Sequence, residues 1–465
     1  MVVWAALAIM FVALALLRPV DHDESQYVAA TVLTAHGLLP YRDFAYLQTP
    51  LQPFLFAPIA WIAGPWTWPA LRIANALLGL AAVGFVHAAM RAAGVRAALA
   101  LAVAALFAGC DILLFGIGTV RNDALPAALL AAAVWRIARG NTPLLVGACL
   151  AAAAAAKISY ALPAAAYGLY ALTHRGHRWP LVALGAAPVL GFVAWTFALS
   201  PEGFLFGTLH FPARAPAEFY AARPWKLSWA AKAVDTLKFL ALGAALPALV
   251  VVARTAWVRR KAGVHDWLVV AGAIAALLPF PTWRQYLLPV LPPLFVGLAV
   301  AWQDRPPGRR TAMLFAAFAG IGVIPSIVAV AEPGRLSLAA ALREGDAVGR
   351  VLDANALSGP VATLSPEILP MTGRLPDPRF AAGPFYFRSH ALLDPAAEHR
   401  LHLMSRDRAA LAPGTVILAG GESDATAGDP GLDAAMARGR RMRVSDRFSL
   451  YVTSASPPPA RHNSP

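Results

Sequence analysis

Charge is scarce in this chain: Asp, Glu, Lys and Arg together make up 14% of its 465 residues, while 58% are hydrophobic. A soluble globular chain carries about 25% charged residues. The scarcity excludes one large water-soluble core and points to a polytopic membrane protein. Cysteine is nearly missing as well. Cys110 and Cys149 both lie in apolar stretches, which excludes a disulfide framework or a cysteine metal cluster and leaves two small core residues. There is no RNP-like motif, no zinc-ligand spacing, no basic–aromatic stripe and no fixed-period repeat, so the formal charge of +14 does not signify nucleic acid. Many of the Arg and Lys residues fall instead in short connectors between apolar runs, where they set topology.

A membrane-spanning helix needs about 20 mainly apolar residues. On that template the sequence predicts about eleven spans, near 2–17, 68–90, 97–115, 123–139, 143–156, 159–173, 180–199, 234–253, 266–280, 286–302 and 311–330. The first run, MVVWAALAIMFVALALL, lacks a basic n-region and is expected to be a retained helix. The connectors with Arg91/Arg96, Arg136/Arg139, Arg175/Arg178, Arg254/Arg259/Arg260/Lys261 and Arg305/Arg309/Arg310 mark the cytoplasmic face, with the N-terminus inside. Connectors 18–67 and 200–233 and everything after Glu332 are then expected outside.

These outer stretches have structure of their own. Residues 24–36 predict a helix with Tyr27, Val28, Val32 and Leu33 on its apolar face. Residues 51–63 are too short and proline-broken to span, and predict an interfacial helix with Trp61, Trp66 and Trp68 at the headgroups. A second such segment is 215–232, with Tyr220, Trp225 and Trp229. Beyond 332 the composition becomes that of soluble protein. Strands are expected at 360–364, 415–421 and 447–453, and helices at 337–354 and 431–440. The expected organisation is a membrane domain over 1–331, a small α/β domain over 332–455 and a disordered tail over 456–465.

Three acids, Asp21, Asp23 and Glu24, follow the first apolar run. Asp23 with Gln26 fits a capping box, which accounts for one or two of them. Carboxylates beside a membrane are costly to desolvate and are functional candidates, and partial burial moves a carboxyl toward general-base duty. Arg121 and Asp123 open the span at 123–139, either as a surface pair with a helix cap or as site residues. Lys157 is a lone charge between apolar runs, either snorkelling or reaching a phosphate. Arg284 stands alone in a short outer turn with Tyr286 just beyond it, as a phosphate oxyanion would require. Interfacial anchoring also explains Trp283 and Tyr286.

Three motifs then carry a resemblance. Asp23-Glu24-Ser25-Gln26-Tyr27-Val28-Ala29 is D-E-x-x-Y-A-like. Gly37, Pro40, Tyr41, Asp43, Tyr46, Pro50 and Leu51 fit G-x-x-P-Y-x-D-x-x-Y-x-x-x-P-L, and Arg284-Gln285-Tyr286-Leu287-Leu288-Pro289 with Pro292 fits R/K-x-Y-L-L-P-x-x-P. Asp123, and Lys157 with Pro163, match further positions. Over roughly residues 1–330 the chain resembles the GT-C integral-membrane glycosyltransferases. The likeness is to the bacterial polyprenyl-phosphate-sugar-dependent mannosyltransferase and aminoarabinose-transferase-like group (glycosyltransferase family 39-like).

The resemblance implies an α-helical polytopic, GT-C-like protein of the bacterial inner membrane, with its active site and small C-terminal α/β domain in the periplasm. It implies transfer of a sugar from a polyprenyl-phosphate donor to a glycan, lipid or protein acceptor. Asp23 would be the general base, Glu24 and Asp123 would orient acceptor or sugar, and Arg284 and Lys157 would neutralise the departing phosphate. Tyr27, Asp43, Tyr46 and Tyr286 complete the substrate contacts. Where many relatives have a basic residue in the first loop, this chain has Gln48-Thr49-Pro50, so Arg42 is the substitute for that contact. No cofactor is required, because the lipid phosphate is already a leaving group. Asp21-His22-Asp23 nevertheless spells D-x-D, a weak divalent-cation set. The competing reading is a polytopic transporter or lipid-carrier flippase, but transporters favour repeated halves and midplane charges, whereas these charges collect at one face.

Overall fold

The computed structural model describes residues 2–260, 262–387, 392–404, 411, 414–421 and 430–453, so the expected tail over 456–465 lies outside the described residues. The apolar runs fold as helices, the form that satisfies every backbone polar group internally in lipid. Among the described residues four helices are long and apolar enough to cross a membrane: Leu51–Ala92, Trp179–Leu199, Arg284–Asp304 and Arg309–Ala331. Two more pairs, Ala97–Ala108 with Asp111–Ile117 and Trp229–Ala241 with Ala245–Arg259, are bent by 65° and 96°. Val2–Leu17, Pro143–Ala156 and Val264–Leu277 are shorter apolar helices.

The bends have a local cause. Gly243 has a φ of 129°, open to glycine alone at little cost, and a Cβ there would lie 2.8 Å from Cys110 Cα. The two breaks therefore touch, and Asp111 N donates to Leu242 O at 3.0 Å, so each break satisfies backbone groups freed by the other. Glycine also sets the contact of Pro143–Ala156 with Trp179–Leu199. A Cβ on Gly147 or Gly185 would stand 1.9 Å from the carbonyl oxygen of Val182 or Leu144, the close backbone approach typical of small residues between membrane helices.

Packing divides the chain into two compact units: Met1–Val20, Leu47–Leu55 and Pro69–Leu338 form the first, and Asp21–Tyr46, Phe56–Trp68 and Ala339–Pro465 the second. In the second, a four-stranded sheet has β1 (Val361–Ala362), β2 (Val416–Ala419), β3 (Arg440–Arg443) and β4 (Ser449–Val452) in the order β1-β2-β4-β3. β1 and β2 are parallel and the other pairs antiparallel. Three strands fall where the sequence predicts them. The expected helix at 431–440 instead stops at Ala437, and β3 begins at Arg440. Arg-Arg-Met-Arg lacks the apolar alternation of a buried strand, but β3 is an edge, where charged side chains are favoured.

Helix Glu24–Ala35 packs on the Pro366–Ile368 turn, and the missing side chain of Gly383 makes room for Ser25, whose Oγ would lie 2.4 Å from a Cβ there. Trp61 and Trp66 are exposed as expected of interfacial aromatics, but Trp68 is buried, as is Tyr220 in the second such segment.

Candidate active site

The acidic corner belongs to the second unit. The expected capping box is not formed: N-cap Asp23 has helical φ and ψ of −66° and −24°, its side chain makes no cap bond, and the Gln26 amide has no hydrogen-bond partner among the described residues. The corner is tied differently. Asp21 Oδ1 accepts from Asp23 N at 3.0 Å. Glu24 is fully buried; its Oε1 accepts from Asp21 N at 3.2 Å and its Oε2 from Trp68 Nε1 at 2.6 Å. A carboxylate out of water needs such donors, and these fix the turn that presents Asp23. Asp23 itself is only half-buried, with Oδ1 3.1 Å from His22 Nε2. The His22 ring lies against Phe385, with centroids 6.1 Å apart. Asp21, His22 and Asp23 offer three ligand atoms within 4.8 Å of one another, a hard oxygen-rich set suited to Mg²⁺ or Mn²⁺.

The following loop is also self-contained. Arg42 donates through Nε to Asp43 Oδ1 at 2.9 Å and through Nη2 to Oδ2 at 2.8 Å, while Leu39 N donates to Oδ2 at 2.7 Å. Arg42's hydrogen bonds hold the Asp43 carboxyl below its ordinary range. Arg42, the expected phosphate substitute, is thus already engaged by Asp43. Tyr41 holds a left-handed φ of 70°. Tyr27 and Tyr46 are buried; burial raises the Tyr46 phenol, and its hydroxyl has no partner among the described residues.

The first unit gathers the cations. Asp123 is 1% exposed and receives Arg121 Nε at 3.2 Å on one oxygen and Lys157 Nζ on the other. This corrects two bland expectations: Arg121 and Asp123 are not a surface pair, and buried Lys157 does not snorkel. Arg284 is not isolated either, since its Nη1 donates to fully buried Asp111 at 2.9 Å. Three guanidinium carbons, those of Arg284, Arg121 and Arg18, stand 4.3, 4.8 and 5.0 Å from the centroid of one ring, Phe115. Lys157 Nζ lies 5.4 Å from the Tyr286 ring. Four cations (Arg18, Arg121, Lys157, Arg284) therefore gather around two buried carboxylates (Asp111, Asp123) and two aromatic rings (Phe115, Tyr286).

Glycines make this crowding possible. A Cβ on Gly118 would lie 2.8 Å from Arg18 Nη1, and one on Gly116 3.2 Å from Asp123 Cβ. Asn122 Nδ2 donates to Gln48 Oε1 at 2.8 Å, so Gln48, standing where relatives are basic, joins the same layer. Arg18, Asp111 and Phe115 were passed over in the sequence. A lone acid in the apolar run FAGCDILLF was the signal for Asp111.

The backbone was compared with solved structures. ArnT from Cupriavidus metallidurans bound to undecaprenyl phosphate superposes with a TM-score of 0.57 at 16% identity, covering 98% of both chains. Its apo state gives 0.55 at 17% identity, covering 97% of both. The Archaeoglobus fulgidus oligosaccharyltransferase tethered to an acceptor peptide gives 0.51 at 13% identity, covering 98% of this chain and 74% of that one. The chain has the GT-C fold. It is an α-helical polytopic membrane protein with a small C-terminal sheet. No protein-family model and no curated protein matches its sequence.

Proposed function

We infer that this protein is a membrane glycosyltransferase that moves a sugar from a polyprenyl-phosphate donor to an acceptor hydroxyl at the outer face of the bacterial inner membrane. The carrying observation is the gathering of Arg18, Arg121 and Arg284 around Phe115, with Lys157 beside Tyr286, in a GT-C fold whose ArnT counterpart was solved with undecaprenyl phosphate. Such a cluster suits a phosphate monoester dianion, and most of its members are desolvated, which strengthens the attraction.

In the reaction, the acceptor oxygen forms a bond to sugar C1 as the C1–O bond to phosphate breaks. The electron pair of that bond leaves with the polyprenyl phosphate, where Arg284, Lys157, Arg121 and Arg18 neutralise it. The acceptor proton passes to Asp23, the half-buried acid of its corner. Glu24 is a positioning residue, held by Trp68. Asp123 holds Lys157 and Arg121 in place, and Asp111 holds Arg284. Tyr27, Asp43, Tyr46 and Tyr286 contribute to shaping the substrate surfaces.

Asp23→Asn tests the reading. The variant is expected to insert and fold normally and to lose sugar transfer, followed by lipid and glycan profiling of a deletion strain carrying each allele. Near-normal transfer by the variant would remove Asp23 from the mechanism. Sidedness is tested at exposed Asn355: an Asn355→Cys variant should react with an impermeant thiol reagent in intact spheroplasts, and labelling only after lysis would reverse the assigned topology.

A further inference from the structure

The second unit contains an open cleft of about 650 Å³, of whose lining the transfer reading uses Asp43 alone. It lies where the chain enters the two parallel strands, between the 356–360 segment before β1 and the 414–416 segment that begins β2, and Asp43 of the first connector lines it too. The volume is that of a small-molecule site, roughly 300–1,000 Å³. Asp43, Asp377, Arg379 and His402 supply polar side chains, and Leu357 and Pro378 supply apolar surface.

The charges are paired in kind. Asp377 accepts from Arg379 N and Nε, each at 3.0 Å, and from Arg379 Nη2 at 2.6 Å, while Asp43 is gripped by Arg42 in the same two-pronged manner. The Asp377–Arg379 fork lines the cleft, and Arg42, outside the lining, offsets the charge of Asp43, so the two pairs leave no net charge to favour an anion or a cation. The cleft offers fixed planar arrays of donors and acceptors beside aliphatic surface. That combination matches a neutral ligand with many hydroxyls on its rim and C–H groups on its faces.

Two helix ends shape the same place. Ala356 at φ 51° and His402 at φ 55° are the left-handed ends of the helices before them, where Leu357 N donates to Leu352 O and Leu403 N to Glu398 O, each at 2.9 Å, and both residues line the cleft.

We propose that this cleft is a saccharide-binding site that holds the glycan part of the acceptor. This rests on the transferase reading and gives the C-terminal sheet and the Asp43 motif a shared task. The test uses the full-length protein in nanodiscs and the methyl glycosides of glucose, mannose and N-acetylglucosamine as probes, read by saturation-transfer difference NMR. At least one glycoside is expected to bind at millimolar concentration, and its signal should fall tenfold or more in Arg379→Gln and in Ser358→Trp. Ser358 is exposed on the cleft wall, so tryptophan there fills the site without touching the core.

Arg284→Gln and Asp23→Asn should bind the glycoside as wild type does while losing transfer. Nanodiscs carrying the same sugar on a diacylglycerol form the second arm. Displacement of the soluble glycoside supports the site with a lipid-borne saccharide, and retention supports it with a free one. No binding of any glycoside to the wild type, or binding unchanged in both cleft variants, would overturn the proposal. The transferase reading would then stand or fall on Asp23→Asn alone.

Discussion

Asp123 is the point at which the cation cluster is most sharply testable. It is 1% exposed and bonds both Arg121 and Lys157. Asp123→Asn keeps the shape and removes the charge, leaving two buried cations without their shared anion. Breaking a buried ion pair this way costs about 3–5 kcal/mol. The Phe115 and Tyr286 rings face these cations in both forms and so do not offset this, and the expected loss stays at about 3–5 kcal/mol. Lys157→Met should cost less, because Asp123 keeps Arg121. The double variant should cost less than the sum of the two, with a coupling of about 2 kcal/mol, inside the range for residues in direct contact.

Thermal unfolding of a polytopic protein is commonly irreversible, so the assay is reversible unfolding by SDS in mixed micelles, with tryptophan emission as the signal. Both single variants within about 0.5 kcal/mol of wild type, or strictly additive effects, would refute the view that Asp123 organises buried cations.

Other outcomes follow from the same geometry. Under the proposed function, Gly118→Ala should displace the Arg18 side chain and weaken polyprenyl-phosphate binding several-fold in a fluorescence competition assay. Trp68→Phe should remove the indole hydrogen bond to buried Glu24 at about 1–3 kcal/mol, and reduce transfer, whereas Glu24→Gln should retain more of both. The Arg42–Asp43 pair has an acid signature: Arg42 lowers the folded carboxyl pKa, so its contribution is complete above the unfolded value of about 3.9 and is lost only as pH falls through the lower folded value. In Arg42→Gln that loss should move to higher pH, seen in the carboxyl chemical shift of labelled aspartate.

Much of this was legible because membrane burial makes polar residues conspicuous. Asp23, Asp123, Lys157 and Arg284 stood out as charges against apolar sequence, and three of the four strands fall in the short runs read as strands. Partners were not legible, because they are far apart in the chain. Arg284 meets Asp111 173 residues away, and Trp68 meets Glu24 44 residues away. The expected cap at Asp23 failed because Asp21 and Glu24 take that role two residues earlier, Asp21 Oδ1 accepting from Asp23 N and Glu24 Oε1 from Asp21 N, and β3 was missed because an edge strand need not look apolar.

Arg72, a lone charge in the predicted span 68–90, was passed over, yet it is fully buried, and its guanidinium donates to the carbonyl oxygens of Ala15, Arg18 and Pro19 at 2.9, 2.6 and 3.3 Å. These carbonyls end helix Val2–Leu17 and lead out of it, so a side chain from the next apolar segment supplies the donors that helix ends lack. During biogenesis this makes the first two hydrophobic segments interdependent. Leaving the translocon alone, the second would carry an uncompensated arginine into lipid at a cost of up to about 2.5–3.5 kcal/mol. Beside the first, it arrives already solvated by protein. The two segments should therefore partition as a hairpin, and Arg72→Leu should release the second to insert by itself while leaving the first with an unsealed end.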